Sequence, residues 1–540
     1  MGKKPEEQNC LDRSWIAAVS LIAVLAAVSF IPPRSIGGVH LRRANILSDI
    51  LAFDDRTTEA EEPELFDEEE FLIDMEQVAE RVAAVQIAAD TQPRPVRITF
   101  EWDVRRDSLP PARGAVPDSG RRSPALVPVE DYDTTGHSPM TRFYEALLTG
   151  GRPVRIAVLG DSFIEGDIMT ADLREALQSL WDGEACGAGF APMASPLTGF
   201  RRSIGTRSEG WTSYNIMQRK RAPETVRDKF YLSGWACTPE PGAATRWEGV
   251  DAYKYLDRSR CARIFFLSPR DSRIEITLND GESRRFDVEG APAVRQVVVR
   301  ADSIRSLAFR VLSATEGFIG YGATFESDGA VVDNYSVRSN NGQAMFWTDP
   351  SIDAQIGALA GGYDLVILQY GLNIMQPGVR SYANYSRQIE KMTAFVRQCF
   401  PGAAVLILGV SDRSVKTDRG FEPMDAIPYM LDCQRQAARR TGAAFWPTCD
   451  AMRAQGGMER FVENGWAGKD FTHINFAGGR RVALALFDAL NAELQALRRT
   501  EAEARISERP ETVLDSAKTA AVTRELLKET APEPLNLPRR

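Results

Sequence analysis

The pattern that most constrains the fold is a series of short, mostly apolar segments that alternate with segments of helical periodicity. The apolar segments are residues 154–159, 364–370, 404–410 and 443–446. The helical segments are residues 140–148, 170–180, 382–399, 424–441 and 477–497. Strands without a polar face need cover on both sides, and intervening helices allow parallel pairing. The pattern therefore predicts an α/β domain with a parallel sheet between two layers of helices.

The periodicity changes in the middle of this domain. Six short strand-like segments lie between residues 263 and 325, and the sequence Asn279-Asp280-Gly281 between two of them is typical of a hairpin turn. We interpret residues 228–327 as an inserted all-β module, a sandwich of jelly-roll type. It divides the α/β domain into residues 140–227 and 328–498. A chain of 540 residues is long enough to hold several such modules.

The N-terminus contains an apolar run over residues 15–31 that ends at two prolines. Three basic residues precede the run, as in a signal sequence, and no small-x-small cleavage site follows it. We therefore expect residues 1–33 to form a cytoplasmic stub and an uncleaved transmembrane anchor, with the rest of the chain exported. Three basic residues also follow the run, so flanking charge does not fix its orientation. An acidic, proline-rich spacer over 34–139 and a charged tail over 499–540 complete the chain.

The cysteines leave two interpretations open. Of the seven, Cys10 precedes the expected anchor and six follow it. Cys237 and Cys261, and Cys433 and Cys449, are near enough in sequence to form disulfides in an oxidising compartment. Buried reduced thiols explain the same cysteines equally well, and their spacing matches no zinc pattern.

Charge and histidine content exclude two classes of function. The 65 basic and 74 acidic residues give a net charge of −9, which argues against binding to nucleic-acid phosphates. His40, His137 and His473 are the only histidines, so a clustered histidine metal site is nearly excluded. A mechanism with one histidine as general base remains compatible. No cofactor or metal is expected, because the sequence has no Walker A loop and no complete dinucleotide-binding glycine motif.

The candidate nucleophile is Ser162, in the sequence Gly160-Asp161-Ser162 directly after the first strand. Sites in open α/β sheets form beyond the carboxyl ends of the strands, which is where this loop lies. A serine there becomes a nucleophile if a base reaches it. The same tripeptide also suits a turn that caps the next helix, so it does not decide the matter alone.

Three further segments supply partners for a serine. Asp470 and His473 are three residues apart before the last helix, a spacing that lets the carboxylate hold the imidazole in one tautomer. Asn373 follows the strand at 364–370 and could aim its amide at a developing oxyanion. Gly342, in a loop after the β module, could offer a backbone N–H. Turn-forming roles for the asparagine and the glycine stay open.

In this order the motifs resemble those of the SGNH, or GDSL-like, hydrolase family, whose members have a flavodoxin-like three-layer fold. The resemblance covers about residues 140–225 and 328–497 and departs from the usual Gly-Asp-Ser-Leu at Phe163. It implies that Ser162 is the nucleophile, that His473 is the base and that Asp470 orients it. The backbone N–H groups of Ser162 and Gly342, with the Asn373 amide, would form the oxyanion hole.

The inserted β module, with the segment at 187–192, is similar to a subgroup of exported bacterial glycan O-acetylesterases that includes peptidoglycan O-acetylesterases. The resemblance implies a membrane-anchored serine esterase that removes O-acetyl groups from a cell-wall or extracellular polysaccharide, at the inner membrane and facing the periplasm or the outside. Two alternatives stay open. One is a polysaccharide O-acetyltransferase with a membrane acyltransferase partner, and the other is a non-catalytic glycan-binding protein.

Overall fold

A computed structural model gives the architecture of the chain. It describes residues 34–36, 39–41, 73–88, 96–99, 126–135, 137–181, 185–313 and 316–507. The chain divides into two compact units, residues 1–67 and 68–540. In the first unit, β1 (Arg34–Ile36) and β2 (Val39–Leu41) pair as a short antiparallel hairpin. All elements described below belong to the second unit.

The centre of the second unit is a six-stranded sheet in the order β15-β5-β16-β17-β20-β4. Its strands are β4 (Glu130–Asp131), β5 (Pro153–Gly160), β15 (Gly329–Ser336), β16 (Leu365–Gln369), β17 (Ala404–Leu408) and β20 (Ala444–Trp446). All neighbouring pairs are parallel except β20 with the edge strand β4. The strands β16, β17 and β20 are buried along their whole length, as apolar strands in a doubly covered sheet must be. The predicted parallel sheet is therefore present.

Helices cover this sheet in two groups. The described helices are α1 (Met75–Ala88), α2 (Pro139–Thr149), α3 (Thr170–Gln178), α4 (Glu224–Arg227), α5 (Pro350–Ala360), α6 (Ala383–Cys399), α7 (Ile427–Thr441), α8 (Thr448–Arg453), α9 (Gly457–Glu463) and α10 (Phe476–Ser507). Helix α10 packs on α2 and α3, whereas α6 packs on α5 and α7. Helix α10 begins one residue before the predicted start at 477 and extends ten residues beyond the predicted end at 497.

The β module is a separate sheet of ten strands. Its strands are β3 (Val96–Thr99), β6 (Gly189–Pro192), β7 (Ile204–Asn215), β8 (Trp235–Gly249), β9 (Ser259–Ser268), β10 (Ser272–Leu278), β11 (Ser283–Val288), β12 (Ala291–Ile304), β13 (Ser306–Ser313) and β14 (Ile319–Glu326). Phe266 of β9 and Phe309 of β13 are not on neighbouring strands, yet their ring centroids are 5.6 Å apart. The sheet therefore folds over one apolar core. The module also includes β3, β6 and β7, which precede residue 228.

A buried ionic network joins the two sheets. Arg155 of β5 is 1 % exposed and donates from Nη1 to Asp333 Oδ2 of β15 at 2.9 Å. Its Nη2 is paired with Glu326 at the end of β14. Arg263 of β9 donates to the other oxygen of Glu326 at 2.6 Å. Because each buried charge has a partner of opposite sign, the network fixes the β module against the parallel sheet.

Part of the expected spacer packs on the folded unit. In helix α1, Val78 and Val82 are buried, and Arg81 pairs with Asp349 at 2.8 Å, just before α5. The helix contacts α5 and α6. This helix within the spacer is thus packed against the folded unit.

The expected transmembrane anchor is corrected. No helix in the described ranges is long and apolar enough to cross a bilayer. The longest, α10, has sufficient length but carries charged residues throughout. Residues 15–31, on which we placed the anchor, lie outside the described residues. The assignment to the inner membrane with a periplasmic domain depended on that anchor and is corrected with it.

The suspected disulfides are also absent from the described part of the chain. All six of its cysteines are free and buried. Burial raises the pKa of Cys237 and of Cys261 to about 11, so these thiols stay protonated at neutral pH. They pack as small apolar side chains, which is the second of the two interpretations left open by the sequence.

Candidate active site

The loop that carries Ser162 begins where β5 comes very close to β16. A Cβ atom on Gly160 would lie 2.6 Å from Gln369 Oε1 and 3.0 Å from the carbonyl oxygen of Gln369, so a larger residue would have to displace the Gln369 side chain. The close approach places Ser162 directly beyond the carboxyl end of β5, partly buried. Within the described ranges, neither its hydroxyl nor its backbone N–H has a hydrogen-bond partner. Both groups are therefore available to a substrate.

Asp161 connects this loop to the loop after β16. Its side chain is buried, and it accepts from the backbone N–H of Phe163 at 2.9 Å and from Asn373 Nδ2 at 3.0 Å. Burial raises the pKa of Asp161 to about 7, although the backbone N–H of Phe163, the side chain of Gln369 and the charge of His473 oppose that effect.

Asn373 holds two loops together. Its Nδ2 donates to Asp161 Oδ2 at 3.0 Å and to the carbonyl oxygen of Asn340 at 3.0 Å. An amide nitrogen has two hydrogens, so both are donated within the protein. An oxyanion would have to share one of them. The oxyanion role of Asn373 stays a prediction. In the structure, its side chain links the loop of Asp161 to the loop of Asn340.

Gly342 lies in the same cluster but its N–H is already engaged. It donates to Asn340 Oδ1 at 2.9 Å. Its φ of +104° is in the left-handed region, and a Cβ there would lie 2.3 Å from Met392 Sδ, so the position requires glycine. An oxyanion contact would need this N–H to turn away from Asn340. The role of Gly342 as a donor stays a prediction.

Asp470 and His473 form the pair predicted from their spacing. The distance from His473 Nδ1 to Asp470 Oδ2 is 2.7 Å. The other carboxylate oxygen accepts from the backbone N–H groups of Thr472 at 3.0 Å and His473 at 3.1 Å. Although partial burial raises it, the net pKa of Asp470 is lowered by its bonds to His473 and Thr472, so the carboxylate stays ionised. The arrangement leaves His473 Nε2 to face a reacting group.

The helix that begins after His473 packs against the segment that follows Ser162. Asn475 caps α10, accepting from the backbone N–H of Ala477 at 3.0 Å. At Gly479, a Cβ would lie 2.0 Å from the carbonyl oxygen of Ile168, so the first turn of α10 touches the segment that follows Ser162. No hydrogen bond joins His473 to Ser162 among the described residues. Such bonds are often long in unliganded enzymes and tighten with substrate.

The sequence analysis missed two residues of this cluster. Asn340, 1 % exposed, accepts from Asn373 with its carbonyl oxygen and from Gly342 with its side chain. Gln369, at the end of β16, accepts from the backbone N–H of Asp161 at 3.3 Å. Both end or follow strands of the parallel sheet, a position that could have drawn attention to them. In the described ranges, no group of three His, Cys, Asp or Glu side chains could hold a metal ion.

Comparison with solved structures relates this fold to a known enzyme. A structure described as a peptidoglycan O-acetylesterase in action matches 68 % of this chain and 99 % of its own, with a TM-score of 0.56 and 22 % identity. The chain therefore shares the fold of that structure, and the resemblance stated from the sequence is confirmed at the level of the fold.

Other solved structures also match, with much lower overall superposition. A carbohydrate esterase family 2 enzyme with a carbohydrate-binding domain, from Corynascus thermopiles, matches 47 % of this chain and 94 % of its own, with 14 % identity and a TM-score of 0.23. An acetyl xylan esterase matches 30 % of this chain and 81 % of its own, with 16 % identity and a TM-score of 0.22. No protein-family model matches the sequence, and no curated protein does.

Proposed function

We propose that the protein is a serine esterase that removes O-acetyl groups from a glycan. The observation that carries the proposal is the 2.7 Å bond between Asp470 and His473, just before a helix whose first turn packs against the segment that follows the partly buried Ser162. A carboxylate, an imidazole and a serine hydroxyl in this relation form the constellation used for acyl transfer on several unrelated folds. The fold shared with the peptidoglycan O-acetylesterase supports the same activity.

In the first half of the reaction, Ser162 Oγ attacks the carbonyl carbon of the acetyl group while His473 Nε2 takes the hydroxyl proton. Asp470 holds the imidazole in position and stabilises its positive charge. The negative charge on the carbonyl oxygen is met by the N–H of Ser162, joined by Asn373 and Gly342 if their internal bonds are shared. The sugar oxygen then leaves with the proton from His473, and the acetyl group stays on Ser162.

In the second half, His473 takes a proton from a water molecule, which attacks the acetyl-serine. Breakdown of this second tetrahedral intermediate releases acetate and returns the proton to Ser162. The same acetyl-enzyme could be attacked by a sugar hydroxyl instead of water, which would transfer the acetyl group. Among glycans, we propose peptidoglycan as the substrate, because the structure with the shared fold acts on it.

The test uses the full-length chain, as wild type and as Ser162→Ala. Acetate release is measured with para-nitrophenyl acetate and with O-acetylated peptidoglycan. We expect release from both by the wild type and a loss of about 10³-fold or more in the variant. Circular dichroism of both proteins controls for folding. Wild-type activity that survives in Ser162→Ala would refute the serine mechanism, and acetylated product from a deacetylated acceptor would identify transfer in place of hydrolysis.

A further inference from the structure

Most aromatic side chains that could bind a sugar are inside the protein. Trp247 is fully buried, Trp235 is 9 % exposed and Tyr253 is 7 % exposed. Trp211 and Tyr255 are partly buried against apolar clusters. The described residues include only four large apolar side chains that are well exposed: Leu126, Phe200, Phe421 and Tyr429. Two of these, Phe200 and Phe421, are fixed to the loops that carry Ser162 and His473.

Phe200 lies against the loop of Ser162. Its side chain is 66 % exposed, and its Cβ lies 3.5 Å from the position that a Cβ on Gly166 would occupy. The next residue, Arg201, donates from Nε to Asp167 Oδ2 at 3.0 Å. Both members of this ion pair are buried, so it ties the two segments firmly. The residue with the exposed ring is therefore attached to the segment that follows Ser162 by a buried ion pair.

Phe421 lies against the loop of His473. It belongs to β19 (Gly420–Pro423), which pairs with β18 (Ser414–Thr417) in an antiparallel hairpin. The rings of Phe421 and Phe471 are stacked, with centroids 4.0 Å apart and planes at 15°. Phe471 directly follows Asp470, and its carbonyl oxygen accepts from the backbone N–H of Ser414 at 3.0 Å. Phe421 keeps 43 % of its surface exposed in this arrangement.

We propose that Phe200 and Phe421 bind the substrate, each against the face of a sugar ring in the glycan chain next to the ester. The inference rests on the proposed esterase function. A phenyl ring offers a large, rigid apolar face, and a sugar ring has a matching face of C–H groups. Single exposed apolar side chains are common on protein surfaces and usually have no role. These two rings differ because each is held by specific contacts to the segment that carries the nucleophile or the base, which favours a role in binding.

The test compares Phe200→Ala and Phe421→Ala with wild type in the full-length chain. The probes are O-acetylated peptidoglycan strands, para-nitrophenyl acetate and para-nitrophenyl octanoate. We expect each substitution to raise KM for the glycan by roughly 3- to 10-fold, the range for loss of one stacking contact. The kinetics with para-nitrophenyl acetate should not change, because that ester has no sugar. Phe200→Tyr and Phe421→Tyr should restore the wild-type KM.

Leu126→Ala provides the matched control. Leu126 is 54 % exposed and precedes β4, the edge strand of the parallel sheet that lies farthest in strand order from β5 and β16. It should leave KM for the glycan unchanged.

Four results would overturn the inference. An unchanged glycan KM in both alanine variants would refute it and leave the proposed function intact. A loss confined to the octanoate ester would show that the rings bind a long acyl chain instead. An equal fall in kcat on glycan and aryl acetate for Phe421→Ala would show that this ring only positions the Asp470–His473 loop. Absence of acetate release from the glycan by the wild type would refute the proposed function and the inference together.

Discussion

Asp470 has two tasks that a pair of substitutions separates. One carboxylate oxygen bonds to His473 Nδ1, and the other accepts from two backbone N–H groups of the same turn. Asp470→Asn keeps an oxygen for the backbone bonds but can place an N–H against His473, which reverses its tautomer. Asp470→Ala removes all three bonds. Both variants should lose about 10³- to 10⁴-fold in kcat, because the imidazole is no longer held as a base.

The two variants should differ in stability. A hydrogen bond to a charged group contributes about 1.5–3 kcal/mol, and solvent screening at the half-exposed position of Asp470 lowers this to about 0.5–1 kcal/mol for each of its backbone bonds. Two backbone bonds therefore make Asp470→Ala about 1–2 kcal/mol less stable, whereas Asp470→Asn should lie within about 0.5 kcal/mol of wild type. Urea unfolding measures the stability and aryl acetate hydrolysis the activity. Near-wild-type activity in Asp470→Asn, or equal stability loss in both variants, would refute the reasoning.

Three further predictions concern the residues around the serine. Asn373→Ala should lower kcat by about 10²- to 10³-fold in aryl acetate hydrolysis if its amide donates to the oxyanion, and an effect on urea unfolding alone would assign it only a bracing role. The pKa of Asp161 is raised from 3.8 to about 7 in the folded protein, so the stability of the wild type relative to Asp161→Asn should fall as the pH rises from about 4 to about 7. Urea unfolding at several pH values measures this difference in stability, and a difference that does not vary with pH would contradict the prediction. Gly342→Ala should destabilise the fold by about 1–3 kcal/mol in thermal unfolding, since it combines backbone strain with a clash at Met392, and a wild-type melting curve would contradict it.

The strands that were predicted correctly from the sequence have a strong hydrophobic pattern. The segments at 154–159 and 404–410 are mostly apolar because the sheet is covered on both faces, and the six predicted strands of the β module all contribute apolar side chains to a single core. Strand β7 was missed because it is mostly polar and has one fully buried residue. Strand β8 was missed because two prolines and a glycine interrupt it.

The site was predictable where the chemistry lies in a short stretch of chain. Asp470 and His473 are three residues apart, so their contact follows from local geometry. The bonds of Asn373 to Asp161 and Asn340 join residues 212 and 33 positions away, and only the sheet order brings them together. Nothing in the sequence indicates that the amide hydrogens of Asn373 are donated to other groups of the protein.

The network around Arg155 has a consequence for how this protein can be divided. Arg155 and Asp333 belong to the parallel sheet, Glu326 and Arg263 belong to the β module, and the buried pair of Arg155 with Glu326 joins the two. Deleting the β module would leave Arg155 and Asp333 in the interior without Glu326 and Arg263. An insertion that shares its buried charges with its host is not a detachable accessory. We expect the two sheets to melt in one calorimetric transition, and the catalytic half to require its β module in order to fold.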